Sequence, residues 1–253
     1  MPEVSVIIPT INRITLLNQS IKSVINQSYK NWELFIVNDS KDEILLNQSD
    51  PRIHLVENQL LPGANGARNT GINLSNGKFI AFLDDDDTWY ENKLDKQVEI
   101  MRSTDAILCY TGKKMIIQKK GSIKKRSTYH TTILNSFVAL QIHNYIGTTS
   151  SIMIRSEILK KKVKFDENIH SLQDYDLYLQ LAKYGDIIGI SENLVTYNYD
   201  SSINHTSDRK RAFVWSAIQI NKKQKGIYRL TILIGLTITL IQKIYKYFQY
   251  KFL

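Results

Sequence analysis

The sequence predicts an α/β fold in which a mostly parallel sheet carries helices on both faces and is followed by a C-terminal helical segment. Two observations lead to this prediction. Continuous apolar runs such as 4–8 and 79–83 are typical of strands buried on both sides, and they alternate with helically spaced apolar residues. Polar residues, notably four adjacent aspartates at 84–87, follow the ends of these runs. Open α/β sheets bind ligands at the carboxyl ends of their strands, so a functional site is expected there.

Composition sets the broad class of the protein. The chain has 253 residues, of which 43% are hydrophobic, and this is enough for a sizeable core. Its single cysteine, Cys109, lies in an apolar run and is expected to be a core residue rather than a nucleophile or disulfide partner. The first residues lack the basic and apolar regions of a secretory signal, so we expect a cytoplasmic protein. A net charge of +9 favours contact with phosphates, nucleic acid or anionic lipid.

Strands and helices alternate through about the first hundred residues. The periodicity predicts strands at 4–8, 32–37, 53–56 and 79–83. It predicts helices over 14–25, in the polar segment 41–52, from the glycine-rich turn to Leu74, and from Glu91 onward. Asn12 or Thr15 is expected to cap the first helix.

The rhythm changes after the first hundred residues. Residues 106–110 and 114–118 are expected to be paired strands, and the basic stretch 113–126 an exposed hairpin or loop. A helix is predicted over 174–184, with Leu177, Leu181 and Tyr184 facing inward. Further strands are predicted at 149–154, 186–190 and 194–199.

The C-terminal segment, 211–253, differs from the rest. Residues 230–241 contain no charge, and Lys243, Lys246 and Lys251 then alternate with aromatic residues. The uncharged stretch is too short to span a bilayer, but the combination suits a helix lying at a membrane surface. The alternative is a helix packed on the domain or on a second subunit.

The four aspartates admit two interpretations. Successive side chains of an extended segment point to opposite faces, so Asp84 and Asp86 can face one ligand while Asp85 and Asp87 turn away. Such a pair suits a hard divalent cation that also binds phosphate oxygens. The alternative is a solvated acidic turn. Asp39, after the second strand, and Arg68, in the glycine-rich turn, are expected at the same sheet edge, and together these residue types describe a pocket for a nucleoside diphosphate.

Five motifs resemble those of family 2 glycosyltransferases, and they occur in that family's order. They are the segments 4–10 (VSVIIPT), 36–40 (IVNDS), 66–71 (GARNTG), 82–89 (FLDDDDTW) and 173–179 (QDYDLYL). The resemblance implies a GT-A fold, which has a Rossmann-like sheet, and a nucleotide-diphospho-sugar donor such as a UDP-sugar. It also implies a divalent metal, Mn²⁺ or Mg²⁺, and transfer with inversion at the anomeric carbon.

The resemblance also assigns roles to individual residues. Asp174 would be the catalytic base and Asp86 the metal ligand. Contacts with the nucleotide sugar would come from Pro9, Thr10, Asn12, Asp39, Arg68, Asp84 and Asp85. Residues 1–210 would form the GT-A domain, with a nucleotide-sugar half at about 1–105 and an acceptor half at about 106–210. Residues 211–253 would form the appended helical segment.

The implied partners are the donor and a saccharide or lipid-linked saccharide acceptor, as in synthesis of surface polysaccharides. We expect peripheral contact of the C-terminal segment with the inner face of the cell membrane, and no nucleic-acid partner. The chain departs from the family pattern at Gln173, where an acid is common, and this leaves Asp176 as a competing base. His205 is expected to be an ordinary loop histidine.

Two other functions remain open from the sequence. A sugar nucleotidyltransferase uses a metal on a similar sheet, but its first strand usually leads into a glycine-rich basic loop, and residues 9–12 contain no glycine. A noncatalytic nucleotide-sugar or glycan binder is the other alternative. The presence of both Asp86 and Asp174 argues against it.

Overall fold

The computed structural model describes residues 1–46, 49–119, 122–128, 136–200 and 210–251. The strands are β1 (Val4–Thr10), β2 (Trp32–Asn38), β3 (Ile53–Glu57), β4 (Phe79–Phe82), β5 (Thr88–Trp89), β6 (Leu108–Lys119), β7 (Ser122–Thr128), β8 (Ile152–Arg155) and β9 (Ile187–Asp200). The helices are α1 (Ile14–Ile25), α2 (Ala64–Leu74), α3 (Lys93–Ser103), α4 (Ser136–Ile142), α5 (Ser156–Lys161), α6 (Gln173–Leu181), α7 (Lys210–Lys222) and α8 (Ile227–Lys251). A 3₁₀ turn, Thr149–Ser151, precedes β8.

The described strands form one sheet in the order β3-β2-β1-β4-β8-β6-β9-β5, and β7 pairs with β6 off this path. Strands β1 to β4 are parallel to one another. Strand β8 runs antiparallel to both of its neighbours, β4 and β6, whereas β6 and β9 are parallel. The predicted α/β class is confirmed, and the four parallel strands place the ends of β1, β2 and β4 at one edge.

Helices cover both faces of the sheet. On one face, Val4, Val6 and Ile8 of β1 pack in a cluster with apolar residues of α1 and α3. On the other face, Ile7 packs in a cluster that includes Ile72 of α2 and apolar residues of α4 and α6. Adjacent residues of β1 therefore serve opposite cores, which explains why the run is apolar throughout.

Two pairs of predicted strands are single long strands in the structure. Residues 108–119 form β6, which pairs with β7 in a hairpin, and residues 187–200 form β9. In each strand, polar residues interrupt the apolar pattern near Gly112 of β6 and Asn193 of β9, which pair with each other. The β6–β9 register shifts on either side of Gly112, so the interruption is a bulge. A bulge lets a strand pass through such an interruption without ending.

Three local predictions are wrong. In the described part of 41–52 there is no helix, because Asn38 forms a turn in which its side chain accepts from the Ser40 N–H and donates to the Asp42 carbonyl. Neither Asn12 nor Thr15 caps α1, since Asn12 has a left-handed backbone (φ 68°) and the helix begins at Ile14 without a side-chain cap. Tyr184 is exposed, because α6 ends at 181.

Helix α8 packs on the domain along one face. Ile232 and Leu236 are buried, and Gly235 lies so close to α4 that a Cβ there would be 2.3 Å from the Gln141 carbonyl oxygen. The side chains of Leu230, Leu233, Ile234, Ile238 and Ile241 are exposed. Within the described residues, no helix is both long and apolar enough to cross a membrane.

Candidate active site

The four aspartates form the turn that follows β4. The N–H of Asp87 donates to the carbonyl of Asp84 at 3.0 Å, which closes the turn. The side chains of Asp84 and Asp86 are 25% and 21% exposed, whereas Asp85 and Asp87 are buried. The alternation predicted for an extended segment is therefore found in a turn, and only two of the carboxylates are open to a ligand.

Asp85 and Asp87 are engaged by the protein. The hydroxyl of Thr10 donates to Asp85 at 2.7 Å, at the end of β1. Asp87 accepts from the Ser150 hydroxyl at 2.6 Å and from the backbone N–H of Asn198 at 3.1 Å. Burial raises the pKa of the Asp87 carboxyl well above its ordinary value. These contacts tie the turn to β1, to the 3₁₀ turn before β8 and to β9.

Two arginines pair with the aspartates. Arg68, which is largely buried on α2, donates to Asp84 at 2.7 Å. Arg13 donates to Asp85 through Nε at 3.2 Å and to Asp86 through Nη1 at 2.9 Å. Sequence reasoning found Arg68 but missed Arg13, whose only signal was its place directly after the strand-end segment 10–12. The two guanidinium groups offset the repulsion within the turn.

Asp39 holds the glycine-rich turn. Its carboxylate accepts from Asn58 Nδ2 and from the Gly63 N–H, each at 2.6 Å. Gly63 has φ 125°, a conformation that favours glycine. A Cβ at Gly66 would lie 1.9 Å from the Leu61 carbonyl oxygen, so this position has no room for a side chain. Asp39 thus fixes the segment that starts α2 and carries Arg68.

The remaining predicted contacts lie at the end of β1. Pro9 and Thr10 are buried, and the Thr10 carbonyl accepts from the Asp39 N–H at 2.8 Å. Asn12 is partly exposed and donates to Asp42 at 3.3 Å. All three therefore lie at the same sheet edge as the four aspartates. His205 falls outside the described residues.

Asp174 lies in the first turn of α6. Its Oδ1 accepts from the Tyr175 N–H at 2.8 Å. Burial raises the pKa of the Asp174 carboxyl above its ordinary value, while the positive charges of Lys113 and Arg68 act against this and the charge of Asp84 adds to it. Asp174, which is distant in sequence, is therefore near enough to Asp84 for the charge of one to affect the pKa of the other.

Asp176, the competing base, is engaged elsewhere. Its Oδ2 accepts from Lys223 Nζ and from Gln180 Nε2, each at 2.8 Å. Lys223 also pairs with Asp166 at 2.8 Å, and Asp176 itself is only 2% exposed. Asp176 therefore joins α6 to the residue that follows α7, and of the two acids Asp174 is the one whose pKa responds to the charge of Asp84.

Lys113 is a site residue that sequence reasoning missed. It was expected on an exposed hairpin, but it is only partly exposed, and burial lowers the pKa of its ammonium while Asp174, Asp87 and Asp84 act against this. Its Nζ lies 5.0 Å from the centroid of the Tyr197 ring. The residue sits at the bulge in β6, which an apparently simple basic stretch did not reveal.

The carboxylates of the turn are the candidate ligands for a metal ion. Among the described residues, no group of three or more histidine, cysteine, aspartate or glutamate side chains has an arrangement that could hold an ion. Asp84 and Asp86 nevertheless offer oxygen donors, and Mg²⁺ takes only one or two carboxylates when phosphate and water complete its shell. The residues fit an ion that arrives together with a diphosphate.

Comparisons with known proteins identify the family of the chain. The profile of glycosyl transferase family 2 matches residues 5–162. The chain is 32% identical to the Escherichia coli UDP-Glc:alpha-D-GlcNAc-diphosphoundecaprenol beta-1,3-glucosyltransferase WfgD, over 82% of this chain and 80% of that protein. It is 30% identical to the putative teichuronic acid biosynthesis glycosyltransferase TuaG of Bacillus subtilis, over 86% and 89% of the two chains.

The fold is similar to that of S. aureus TarS, residues 1–349, with a TM-score of 0.66 and 17% identity over 92% of this chain and 70% of that one. TarS has also been crystallised with UDP and with UDP-GlcNAc. The predicted GT-A fold is confirmed by this likeness, and the nucleotidyltransferase and noncatalytic alternatives give way to the family match. The chain therefore belongs to glycosyltransferase family 2 and is a glycosyltransferase.

Proposed function

We propose that the enzyme transfers a sugar from a UDP-sugar to a saccharide or lipid-linked saccharide acceptor, with inversion and with the help of Mn²⁺ or Mg²⁺. One observation carries the proposal. Asp174 on α6 and the partly exposed Asp84 after β4 act on each other electrostatically, with Lys113 and Arg68 beside them. Inverting transfer needs a base on the acceptor side of the donor sugar and positive charge near its diphosphate, and these groups supply both.

Donor binding is assigned to the edge formed by β1, β2 and β4. Each oxygen of Asp39 already accepts one hydrogen bond, and a carboxylate has capacity for about four, so it can also accept from the base. Arg68 provides a cation for the diphosphate. Pro9, Thr10 and Asn12 line the end of β1, and Asp85 supports the turn through Thr10. The UDP complexes of TarS support a uridine nucleotide.

The metal is assigned to Asp86, with Asp84 beside it. When bound, such an ion stabilises negative charge on the leaving diphosphate as a Lewis acid. Asp86 pairs with Arg13 through Oδ2, and its other oxygen can serve a cation at the same time. Arg68 and Lys113 add fixed positive charge at the same place.

Asp174 is assigned as the base that removes the proton of the attacking hydroxyl. A raised pKa makes a carboxylate a better proton acceptor, and general base catalysis contributes about 10²- to 10⁴-fold in rate. A single displacement needs no covalent enzyme intermediate. Asp174 and the aspartate turn lie on different elements, and this arrangement suits groups acting on opposite sides of one sugar.

We expect the acceptor to be bound at the inner face of the cell membrane. The related WfgD is named for an acceptor linked to diphosphoundecaprenol, and TuaG for teichuronic acid biosynthesis, so a surface polysaccharide is the expected product class. The exposed apolar face of α8 suits insertion into lipid headgroups, and the lysines that follow it in sequence suit anionic lipid.

The test is incubation with a panel of nucleotide sugars in the presence of Mn²⁺ or Mg²⁺. We expect slow release of UDP from a UDP-sugar, faster with acceptor, and loss of this release when EDTA removes the metal. Unchanged turnover in EDTA would contradict the metal assignment. Turnover with only a non-uridine donor would contradict the UDP assignment.

A further inference from the structure

A second cleft lies between α7 and the loop that leads into α6. Its volume is about 590 Å³, within the range of roughly 300–1,000 Å³ that small-molecule pockets occupy. None of the residues assigned above to the donor, metal or base lines it. The cleft is therefore separate from the residues assigned to the donor, the metal and the base.

An exposed aromatic surface forms one wall of this cleft. Trp215 is 43% exposed, whereas Trp32 and Trp89, the other two tryptophans, are 2% and 6% exposed. The His170 ring stacks on Trp215, with centroids 6.3 Å apart and an angle of 23° between the ring planes. The exposed indole offers the cleft a flat apolar face with a polar N–H at its edge, on which a ligand can stack.

Polar side chains complete the lining. Asn168 and Gln219 bring amides, and Lys222 brings an ammonium group. A sugar ring has an apolar face of C–H groups and a rim of hydroxyls. An aromatic wall beside hydrogen-bonding groups of both kinds matches that ligand, because each part of the ring meets its complement.

The cleft is joined to the element that carries Asp174. His170 lies four residues before Asp174 in the chain. Asn65 of α2 donates to the carbonyl of Asp166 at 2.7 Å, which holds the cleft loop to the helix that bears Arg68. Lys223 pairs with Asp166 and with Asp176 of α6, each at 2.8 Å. The lining of the cleft is therefore tied to α6, the helix that carries Asp174.

We infer that this cleft binds a saccharide unit of the acceptor, one that is not itself the site of sugar addition. The inference rests on the proposed glycosyl transfer and adds a subsite to it. Trp215 stacks on the sugar face, and the amides of Asn168 and Gln219 bind its hydroxyls.

Tryptophan fluorescence provides a direct binding test. Iodide quenches exposed indoles, so in this chain the accessible emission comes from Trp215. The probes are cellobiose, N,N′-diacetylchitobiose and a short-chain N-acetylglucosaminyl diphospholipid. We expect at least one to protect the emission from iodide, with no such protection in Trp215→Ala. Failure of all three to protect Trp215 would overturn the inference.

Kinetics separates this subsite from the reaction itself. Trp215→Ala should raise the acceptor KM about tenfold with kcat unchanged, whereas Trp215→Phe should recover most of the loss. Val214→Ala is the matched control, because Val214 is 44% exposed on the same helix but does not line the cleft. An unchanged acceptor KM in Trp215→Ala counts against the cleft.

Donor hydrolysis without acceptor distinguishes the two proposals. It should be equal in wild type, Trp215→Ala and Trp215→Phe. Absence of hydrolysis and transfer in wild type would count against the proposed function. Loss of hydrolysis only in both Trp215 variants would show a structural role for this side chain and would overturn the subsite.

Discussion

At the scale of single residues, Asp174 is the group on which the proposed reaction depends most. Asp174→Asn keeps the shape of the side chain but removes its ability to accept a proton. We expect transfer to fall by about 10²- to 10⁴-fold, with donor affinity within twofold of wild type. The matched control is Glu157→Gln, an exposed acid on α5. Single-turnover transfer and UDP-sugar titration measure the two quantities, and an unchanged rate would reject Asp174 as the base.

The pH dependence of this base is tied to Lys113. Asp174 acts as the carboxylate, so activity should fall as the pH drops through its raised pKa. Lys113 favours the charged form, and Lys113→Met removes that effect. The pKa of Asp174 should therefore rise further, and the acid limb of the kcat/KM profile should move to higher pH. Lys114→Met, one residue along β6, should leave the limb in place; equal shifts in both variants would contradict a specific role for Lys113.

Neighbouring aspartates should respond differently to the same substitution. Asp87 is buried and accepts from Ser150 and Asn198, so Asp87→Ala leaves buried donors unsatisfied and should lower the free energy of unfolding by about 1–3 kcal/mol. Asp86 is partly exposed, and Asp86→Ala should reduce metal-stimulated activity with little loss of stability. Thermal unfolding and activity assays measured side by side test this contrast. A reversed pattern would show that the turn is oriented differently.

At the scale of elements, the packing of α8 on α4 depends on Gly235. A Cβ there would lie 2.3 Å from the Gln141 carbonyl oxygen and 2.7 Å from that of Ile142. Gly235→Val should therefore push α8 away and cost about 1–3 kcal/mol in unfolding free energy. Thr237→Val places a similar side chain on the exposed side of the helix and should be nearly neutral. Chemical denaturation compares the two, and equal stability would mean that α8 is not held at this contact.

Elements with a strong local pattern could be predicted from the sequence. Clear helical periodicity marks the segment 14–25, and continuous apolar character marks the runs that form β1, β2 and β4. The predicted bounds of these elements are close to those in the structure. The helix predicted over 41–52 was wrong, because hydrogen bonds between the Asn38 side chain and the Ser40 and Asp42 backbone stabilise a turn instead. The sequence predicted β6 and β9 each as two shorter strands, separated where the structure has a bulge. A bulge depends on the register between two paired strands, and the sequence of one strand alone does not contain that register.

The residues of the candidate site also fall into those that the sequence predicted and those that it did not. Asp39, Arg68 and the four aspartates follow apolar runs, so their common edge could be predicted from a parallel sheet. Arg13 and Lys113 reach the site through the turn after β1 and through the bulge in β6. Such contacts depend on tertiary geometry, and the local sequence contains little that indicates them. The cleft at Trp215 was not predicted for the same reason.

At the scale of the whole molecule, the exposed face of α8 bears on where the enzyme works. Leu233→Glu and Ile234→Glu together place two charges on that face without touching the buried residues Ile232 and Leu236. We expect wild type to sediment with vesicles containing anionic lipid and the double variant to remain in the supernatant. Donor hydrolysis in solution should be equal in both, which controls for folding. Equal sedimentation would assign the face to a protein contact or to no partner.

Arg13 and Arg68 give the pocket built-in counter-ions. Asp84 is paired with the Arg68 guanidinium and Asp86 with that of Arg13, so part of the negative charge of the turn is offset by the protein itself. In the proposed reaction, the diphosphate of the donor would give both arginines a further anion to bind, and a cation would use the Asp86 oxygen that Arg13 does not contact. We therefore expect binding of donor and ion to rearrange ion pairs that the protein already has, so that salt should weaken donor binding by competing for the same charges.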